Sequence, residues 1–459
     1  MSDGLIQHSR RTPVDLVPVT AGEFKTWLKG RSAKLRRWIK SADFNALAGT
    51  TCLVPNADGS LNSVLAGIDE VDDPFALAHL PAALPPGSYR LDADWPEDVL
   101  ERAAVGWALG VYQFTRYRKR DAFKPRLVVE SAARLRRVRG QVAGLYRVRD
   151  LVNTPAEDMM PEHLSRAVKD MAGEFRASVG EIVGDALLAK NYPAIHAVGR
   201  AAVHAPRLID LRWGKKQHPK LTLVGKGVCF DSGGLDLKTA SGMRLMKKDM
   251  GGGAHAIGLA HMIMSADLPV RLRMLVPAVE NAVAGNAYRP GDVLDSRKGI
   301  AIEIDNTDAE GRVILCDALA EAGDESPDLL IDFATLTGAA RVALGTDLPA
   351  MFCNRDDVAE GLAESARRVH DPLWRLPLHR PYRELIDSRI ADIVNSGGPY
   401  AGAITAALFL EDFVPAATPW VHFDLMAWNL RSRPGRPEGG EAMALRAVFD
   451  YVSRRYVAG

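Results

Sequence analysis

Long apolar runs are missing from this sequence, and so is any surplus of charge. No stretch reaches the roughly 18 consecutive apolar residues that cross a bilayer. The opening Met1-Ser-Asp-Gly-Leu-Ile-Gln-His-Ser-Arg lacks the apolar centre of an export signal, so no membrane partner is expected. Lys and Arg number 58 against 57 Asp and Glu, a net charge of +1 that exerts no general pull towards nucleic acid or a lipid surface. Cysteine is scarce. Cys52, Cys229, Cys316 and Cys353 form no C-x-x-C pair, which disfavours a disulfide framework and suits buried thiols in a reducing cytoplasm. Two catalytic signatures are absent as well, the G-x-x-x-x-G-K-[ST] phosphate loop and the H-E-x-x-H zinc motif. His255 and His261 are six apart and share no helix face.

What is present is enough for two domains, since 459 residues exceed one ordinary core. Residues 1–128 alternate strand-like runs (Leu16-Val-Pro-Val19, Gly87-Ser-Tyr-Arg-Leu91) with a helical pattern from Asp98 to Leu109, and read as a small N-terminal α/β domain. Its two basic clusters, Lys25 to Lys40 with Trp27 and Trp38, and Arg116 to Lys124 with Tyr117, read as solvated faces with the tryptophans packed inward, not as a nucleic-acid surface. Leu127 to Asp150 reads as one long helix with Arg134, Arg136, Arg137 and Arg139 along a side, a linking element at residues 129–150. Residues 151–459 alternate helices and short apolar strands, with Pro193 to Arg200 read as a loop and Pro206 to Arg212 as a neighbour of Lys220 to Val224. Such alternation predicts a doubly wound, largely parallel sheet with ligands at the carboxyl ends of its strands.

One stretch at such a strand end concentrates the chemistry: Lys226-Gly-Val-Cys-Phe-Asp231-Ser-Gly-Gly-Leu-Asp-Leu-Lys238, with Asp249 and Asn306-Thr-Asp308-Ala-Glu310-Gly-Arg312 beyond it. Asp231-Ser-Gly-Gly also flanks the nucleophile of trypsin-like proteases, but there a glycine precedes the Asp, here Phe230 does, and the all-β pattern is missing. Asp308 and Glu310 are two apart and point the same way if extended. Four carboxylates gathered with three cations are accounted for most economically by two divalent metals. A metal beside Lys226 favours its neutral amine, whereas Lys238 and Arg312 read as charged groups aimed at the oxyanion of an attacked carbonyl.

Asn306-Thr-Asp-Ala-Glu-Gly-Arg312 resembles the signature of the leucyl aminopeptidase (cytosol aminopeptidase) family of two-metal exopeptidases. Val224-Gly-Lys-Gly227, Phe230-Asp-Ser-Gly-Gly234, Met246-Lys-Lys-Asp-Met-Gly251, Tyr288-Arg-Pro-Gly-Asp292 and Ala334-Thr-Leu-Thr-Gly-Ala339 follow in family order. The likeness spans roughly residues 150–459 and the first third only loosely. It implies a catalytic metallopeptidase domain at 151–459 that releases N-terminal residues from peptides by attack of a metal-bridging hydroxide on the first peptide carbonyl. Asp231 and Glu310 are then expected to bridge the metals. Lys226 and Asp249 complete the site for the substrate amine, and Asp308 completes the other. Lys238 polarises the carbonyl, Arg312 holds a bicarbonate that relays a proton, and Met246, Thr335 and Gly338 line the first side-chain pocket. Zinc, manganese or magnesium is expected, in a cytoplasmic homohexamer acting on peptides with a free N-terminus.

Some positions depart from the family pattern. Asp236 replaces a small polar residue, Gly253 and His255 replace small apolar ones, and Asp424-Leu-Met-Ala-Trp428 replaces Asp-x-Ala-Gly-Thr. Met246 and Thr335 still make the first pocket mainly apolar, favouring Leu or Met over Asp or Glu. Asp236, if it points inward, leaves room for a basic side chain. A two-metal phosphoesterase is the competing enzyme reading, since it would share the carboxylates, but it has no need of a lysine ligand. A DNA-binding protein using the N-terminal basic clusters is the competing non-enzyme reading.

Overall fold

A computed structural model describes residues 3–457 as two compact units, each mixed α/β. The first runs to Ala143 and includes Arg431–Glu438; the second comprises Gly144–Leu430 and the chain from Gly439. The division therefore falls inside the helix Ala132–Asn153.

In the first unit, apolar alternation builds a six-stranded sheet in the order Leu5–Ile6, Arg126–Val128, Ser88–Leu91, Val14–Thr20, Leu61–Ile68 and Thr51–Pro55. All its pairings are parallel except the hairpin joining Thr51–Pro55 to Leu61–Ile68. The helix Glu97–Val111 packs in this unit with Trp107 wholly buried. The helix expected from Leu127 begins only at Ala132. Leu127 and Val128 are buried in the sheet instead, and Ser131 Oγ accepts the Arg134 amide, capping the helix start. Arg134 and Arg137 pair with Glu97, and Arg139 with Asp3, while Arg136 stays exposed. Trp27 packs against the small core around Val19 and Ile39 and carries the Arg31 guanidinium 4.3 Å above its ring. Trp38 departs from the expected inward packing. It is 43% exposed and donates Nε1–H to the Leu53 carbonyl at 2.9 Å.

The second unit is built on a sheet ordered Trp374–Arg375, Ala350–Cys353, Trp420–Asp424, Leu329–Ala334, Lys220–Gly225, Arg271–Asn281, Arg207–Trp213, Ser178–Val183. Its centre is parallel, from Trp420–Asp424 through Leu329–Ala334 and Lys220–Gly225 to Arg271–Asn281. The short strand Gly227–Asp231 continues alongside Arg271–Asn281, its register shifting between Val228 and Asp231. Leu329–Ala334 is buried at every position, as a strand covered on both faces must be. Alternate residues serve opposite helices. Leu330 and Ala334 join Val313 and Leu319 of Glu310–Asp324, while the Phe333 ring lies 5.9 Å from His255 of Gly251–Ser265.

Two local expectations change. Pro193–Gly199 is a helix with proline at its first position, where the missing N–H costs nothing. Arg207–Trp213 is not beside Lys220–Gly225; Arg271–Asn281 lies between them, antiparallel to the former and parallel to the latter. All four cysteines are buried and unbridged. No helix among the described residues is long and apolar enough to cross a membrane.

Candidate active site

The strands of the second unit deliver side chains at their carboxyl ends. Lys226 follows Lys220–Gly225, Asp231 and Asn281 end their strands, Thr335 follows Leu329–Ala334, and Asp424 ends Trp420–Asp424. The Lys226 amide donates to the Phe333 carbonyl at 3.0 Å and its own carbonyl accepts from Gly253 at 2.7 Å, so the lysine backbone is fixed between sheet and helix. Its Nζ lies 2.7 Å from Asp249 Oδ2 and 2.8 Å from Glu310 Oε1, and donates to the Thr335 carbonyl at 3.0 Å. A Cβ at Gly311 would stand 2.6 Å from Lys226 Cε, so the glycine of the 306–312 segment makes room for the lysine.

Asp231, Asp308 and Glu310 bring carboxylate oxygens within 4.8 Å of one another. Asp231 Oδ1 accepts from the Gly233 amide and from Asn281 Nδ2, each at 2.9 Å. Lys238 Nζ lies 2.8 Å from Asp231 Oδ2 and also pairs with Asp308. Asp308 and Glu310 reach the cluster by a route other than extended backbone. Asp308 sits in a turn where its amide donates to Asn306 Oδ1 at 2.8 Å, and Glu310 opens the helix Glu310–Asp324. Asp249 stands apart from this trio, joined to it through Lys226.

Several residues that hold this segment carried no individual signal. Asn281 Nδ2 and the Tyr288 hydroxyl both donate to the Thr307 carbonyl, at 3.0 and 2.6 Å. Asn395 Oδ1 accepts the amides of Asp305 and Asn306. Asp236, which would leave room for a basic side chain if it pointed inward, is committed to the 306–310 turn. Its carboxylate accepts the Thr307 amide at 2.7 Å and its own amide donates to Thr307 Oγ1 at 2.9 Å, so it clamps the 306–310 turn. His255 is likewise structural, donating from Nδ1 to the Gly251 carbonyl at 2.6 Å and accepting the Met443 amide on Nε2 at 2.9 Å. Asp424 accepts from the Leu336 and Thr337 amides and the Thr337 hydroxyl.

The electrostatics are those of a site built for cations. Burial, with Asp231 and Asp249 nearby, drives the Glu310 carboxyl well above its ordinary range against the pull of Lys226. Burial and Asp231 raise Asp308 to about 6, with Lys238 opposing. Burial opposes charge on Lys226, yet Asp249, Glu310 and Asp231 hold its pKa above the usual lysine value. Both Glu310 oxygens are buried; Oε1 faces only the Lys226 ammonium at 2.8 Å, and Oε2 accepts no hydrogen bond among the described residues. Hard oxygen donors left bare in this way fit divalent metal ions. Arg312 is also buried, its Nε unbonded; burial lowers it to about 10 against Asp424 and Glu310, so it stays charged at neutral pH. Met246 and Thr335 are nearly buried and Gly338 is exposed. Lys248 is buried in the same turn as Met246, and burial brings it to about 8.

Carboxylates, lysines and an arginine clustered at the strand ends of a largely parallel sheet define a hydrolase of the metal-assisted class. The cytosol aminopeptidase family catalytic domain matches residues 146–449, and the M17 aminopeptidase N-terminal domain matches residues 13–130. The chain belongs to the cytosol aminopeptidase family and is an aminopeptidase. The second match extends the family relationship through the first third, where the sequence resembled it only loosely. A probable cytosol aminopeptidase of Syntrophotalea carbinolica is 39% identical over 398 residues, 83% of this chain and 78% of that protein. The crystal structure of a cytosol aminopeptidase from Coxiella burnetii superposes with a TM-score of 0.96 at 52% identity, covering 99% of this chain and all of that one, 100%. The bottromycin maturation enzyme BotP, solved in complex with Mn, gives 0.88 at 31% identity, covering 97% and 100%.

Proposed function

We propose that this aminopeptidase is a two-metal enzyme that releases N-terminal amino acids from peptides by hydroxide attack on the first peptide carbonyl. The observation that carries the reading is Glu310, a buried carboxylate that meets only the Lys226 ammonium through Oε1 and nothing through Oε2, with carboxylate oxygens of Asp231 and Asp308 within 4.8 Å. Asp231 and Glu310 would bridge the two ions. Asp308 would complete one site, and Lys226 with Asp249 the one that receives the substrate amine. Zinc, manganese or magnesium suits these donors, and manganese is the ion in the BotP complex. When bound, the metal pair supplies a nucleophilic hydroxide near neutral pH and polarises the scissile carbonyl.

The chain's own residues do the rest. Lys226, an ammonium balanced by Asp249 and Glu310, would have to give up its proton to hold a metal. Lys238, anchored on Asp231 and Asp308, donates to the oxyanion that forms at the attacked carbonyl. Arg312, a buried cation, would hold a bicarbonate, which would supply a relay for the proton between nucleophile and leaving amine. Met246, Thr335 and Gly338 line the pocket for the first side chain. A homohexamer in the cytoplasm completes the proposal and rests on family membership.

Removing the metals is the direct test. A chelator should abolish hydrolysis of free-amine dipeptides, and added manganese or zinc should restore it. Full activity in rigorously metal-free protein contradicts the two-metal mechanism.

A further inference from the structure

Lys248 shares the short turn Met246–Met250 with pocket residue Met246 and with Asp249. Its side chain is 1% exposed, yet Nζ makes no hydrogen bond. Asp249 Oδ1 lies 3.9 Å away, beyond hydrogen-bonding reach, and already accepts from Thr335 Oγ1 at 2.8 Å. The Thr335 hydroxyl is therefore spent on Asp249. Asp424, the other acid acting on Lys248, is occupied by the Leu336 and Thr337 amides and the Thr337 hydroxyl. A buried amine without an acceptor is costly, and a fold that keeps one has left a place for a ligand.

A second cation lies beside Gly338, another of the proposed pocket residues. Arg341 lies on the helix Gly338–Leu344, and its Nη2 would be 3.6 Å from a Cβ at Gly338. The Arg341 side chain enters no hydrogen bond or ion pair among the described residues, and it is close enough to Lys248 for each to feel the other's charge. Next to the proposed pocket residues Met246 and Gly338 there thus stand one buried amine whose nearest carboxylate oxygen is 3.9 Å away and one guanidinium with no hydrogen bond or ion pair among the described residues.

We propose that the first pocket takes an acidic side chain, so that the enzyme prefers peptides beginning with Glu or Asp. The side-chain carboxylate docks on Lys248 with Arg341 at the rim, while Met246 packs against its methylenes. This replaces the apolar preference expected from Met246 and Thr335 alone. An apolar first residue leaves Lys248 without an acceptor, whereas a carboxylate satisfies it, and a site built to hydrogen-bond a substrate discriminates strongly against one that cannot. The proposal rests on the aminopeptidase reading above, because it assumes that these residues surround the residue whose amine is bound.

The test compares kcat/KM for Glu, Gln and Leu p-nitroanilides with the manganese-loaded full-length protein and two variants. Lys248→Met keeps length and volume; Arg341→Gln changes a half-buried site and guards against misfolding of the first. Glu should exceed Gln and Leu by about 10-fold or more, and each variant should lower the Glu-to-Gln ratio, Lys248→Met by about 10-fold. A merely structural lysine would depress all three substrates together and leave that ratio intact. Equal or better turnover of Leu by the unaltered protein, or a ratio unmoved in both variants, overturns the acidic pocket and leaves the aminopeptidase reading standing. No turnover of any of the three overturns both.

Discussion

Lys238 and Arg312 are both cations at the site, but their neighbours differ. Lys238 is tied to Asp231 and Asp308, whereas Arg312 is buried with its Nε unbonded. Lys238→Ala removes a positive charge from beside two carboxylates, which strengthens their attraction for a metal. Metal content should therefore survive, while loss of the oxyanion contact lowers kcat by roughly 10²–10³. Arg312→Ala should cost less if, as proposed, the arginine acts through an exchangeable anion. Steady-state kinetics paired with metal analysis checks both, and loss of metal from either variant would show that its role is misassigned. At this scale the sequence was legible wherever a residue belonged to a long specific segment: Asp231, Asp308 and Glu310 meet at one place, and Lys226 joins Asp249 to them. The direction of Asp236 and the environment of Lys248 could not be read from the sequence, because one depends on a hydrogen bond across the chain to Thr307 and the other on burial without a hydrogen bond.

The helix Gly251–Ser265 shows how closely an element must approach the sheet to hold the site. A Cβ at Gly252 would stand 2.1 Å from the Phe333 carbonyl oxygen and 2.9 Å from Ala334 Cα, both backbone atoms that cannot swing aside. Gly252→Ala should push helix from strand and destabilise the protein by about 1–3 kcal/mol or more. Gly173, on the helix Pro161–Phe175, has nothing within 4 Å of its Cβ position, so Gly173→Ala should stabilise by about 0.5–1 kcal/mol. Thermal unfolding of the two variants gives the opposite signs, and equal effects would contradict the packing argument. The helix Gly251–Ser265 also carries a pH dependence. Burial lowers His255 from 6.5 to about 4, so its neutral form is favoured by the fold. Its contribution is complete above pH 6.5 and is lost as pH falls from 6.5 towards 4, reaching ~3 kcal/mol. Urea unfolding at pH 7 and pH 5 should show a shallower acid loss for His255→Gln than for the unaltered chain; parallel losses would exclude this residue as the cause. Element boundaries were less legible than element types. Ser131 and Pro193 each mark a helix start, but a serine after an apolar strand and a proline after a tyrosine read as readily as loop.

For the whole molecule, strand–helix alternation sufficed for a largely parallel sheet with its site at the carboxyl ends. It could not give strand order, which depends on the crossover that places Arg271–Asn281 between Arg207–Trp213 and Lys220–Gly225. That crossover is also what sets Asn281 beside Asp231 and Thr307. The assembled site makes one demand on every substrate, whatever its first side chain. In the proposed mechanism a free amine coordinated beside Lys226 and Asp249 would fix the first carbonyl against the nucleophile, where misplacement by ~1 Å costs about 10² in rate. Acetylation removes that ligand and adds bulk in a buried place. The decisive measurement is hydrolysis of Leu-Gly and Glu-Gly, each against its N-acetyl form, by the manganese-loaded protein at equal substrate concentration. Cleavage of the free dipeptides with the acetylated ones essentially inert is the predicted result; comparable rates for free and acetylated forms would contradict the aminopeptidase mechanism.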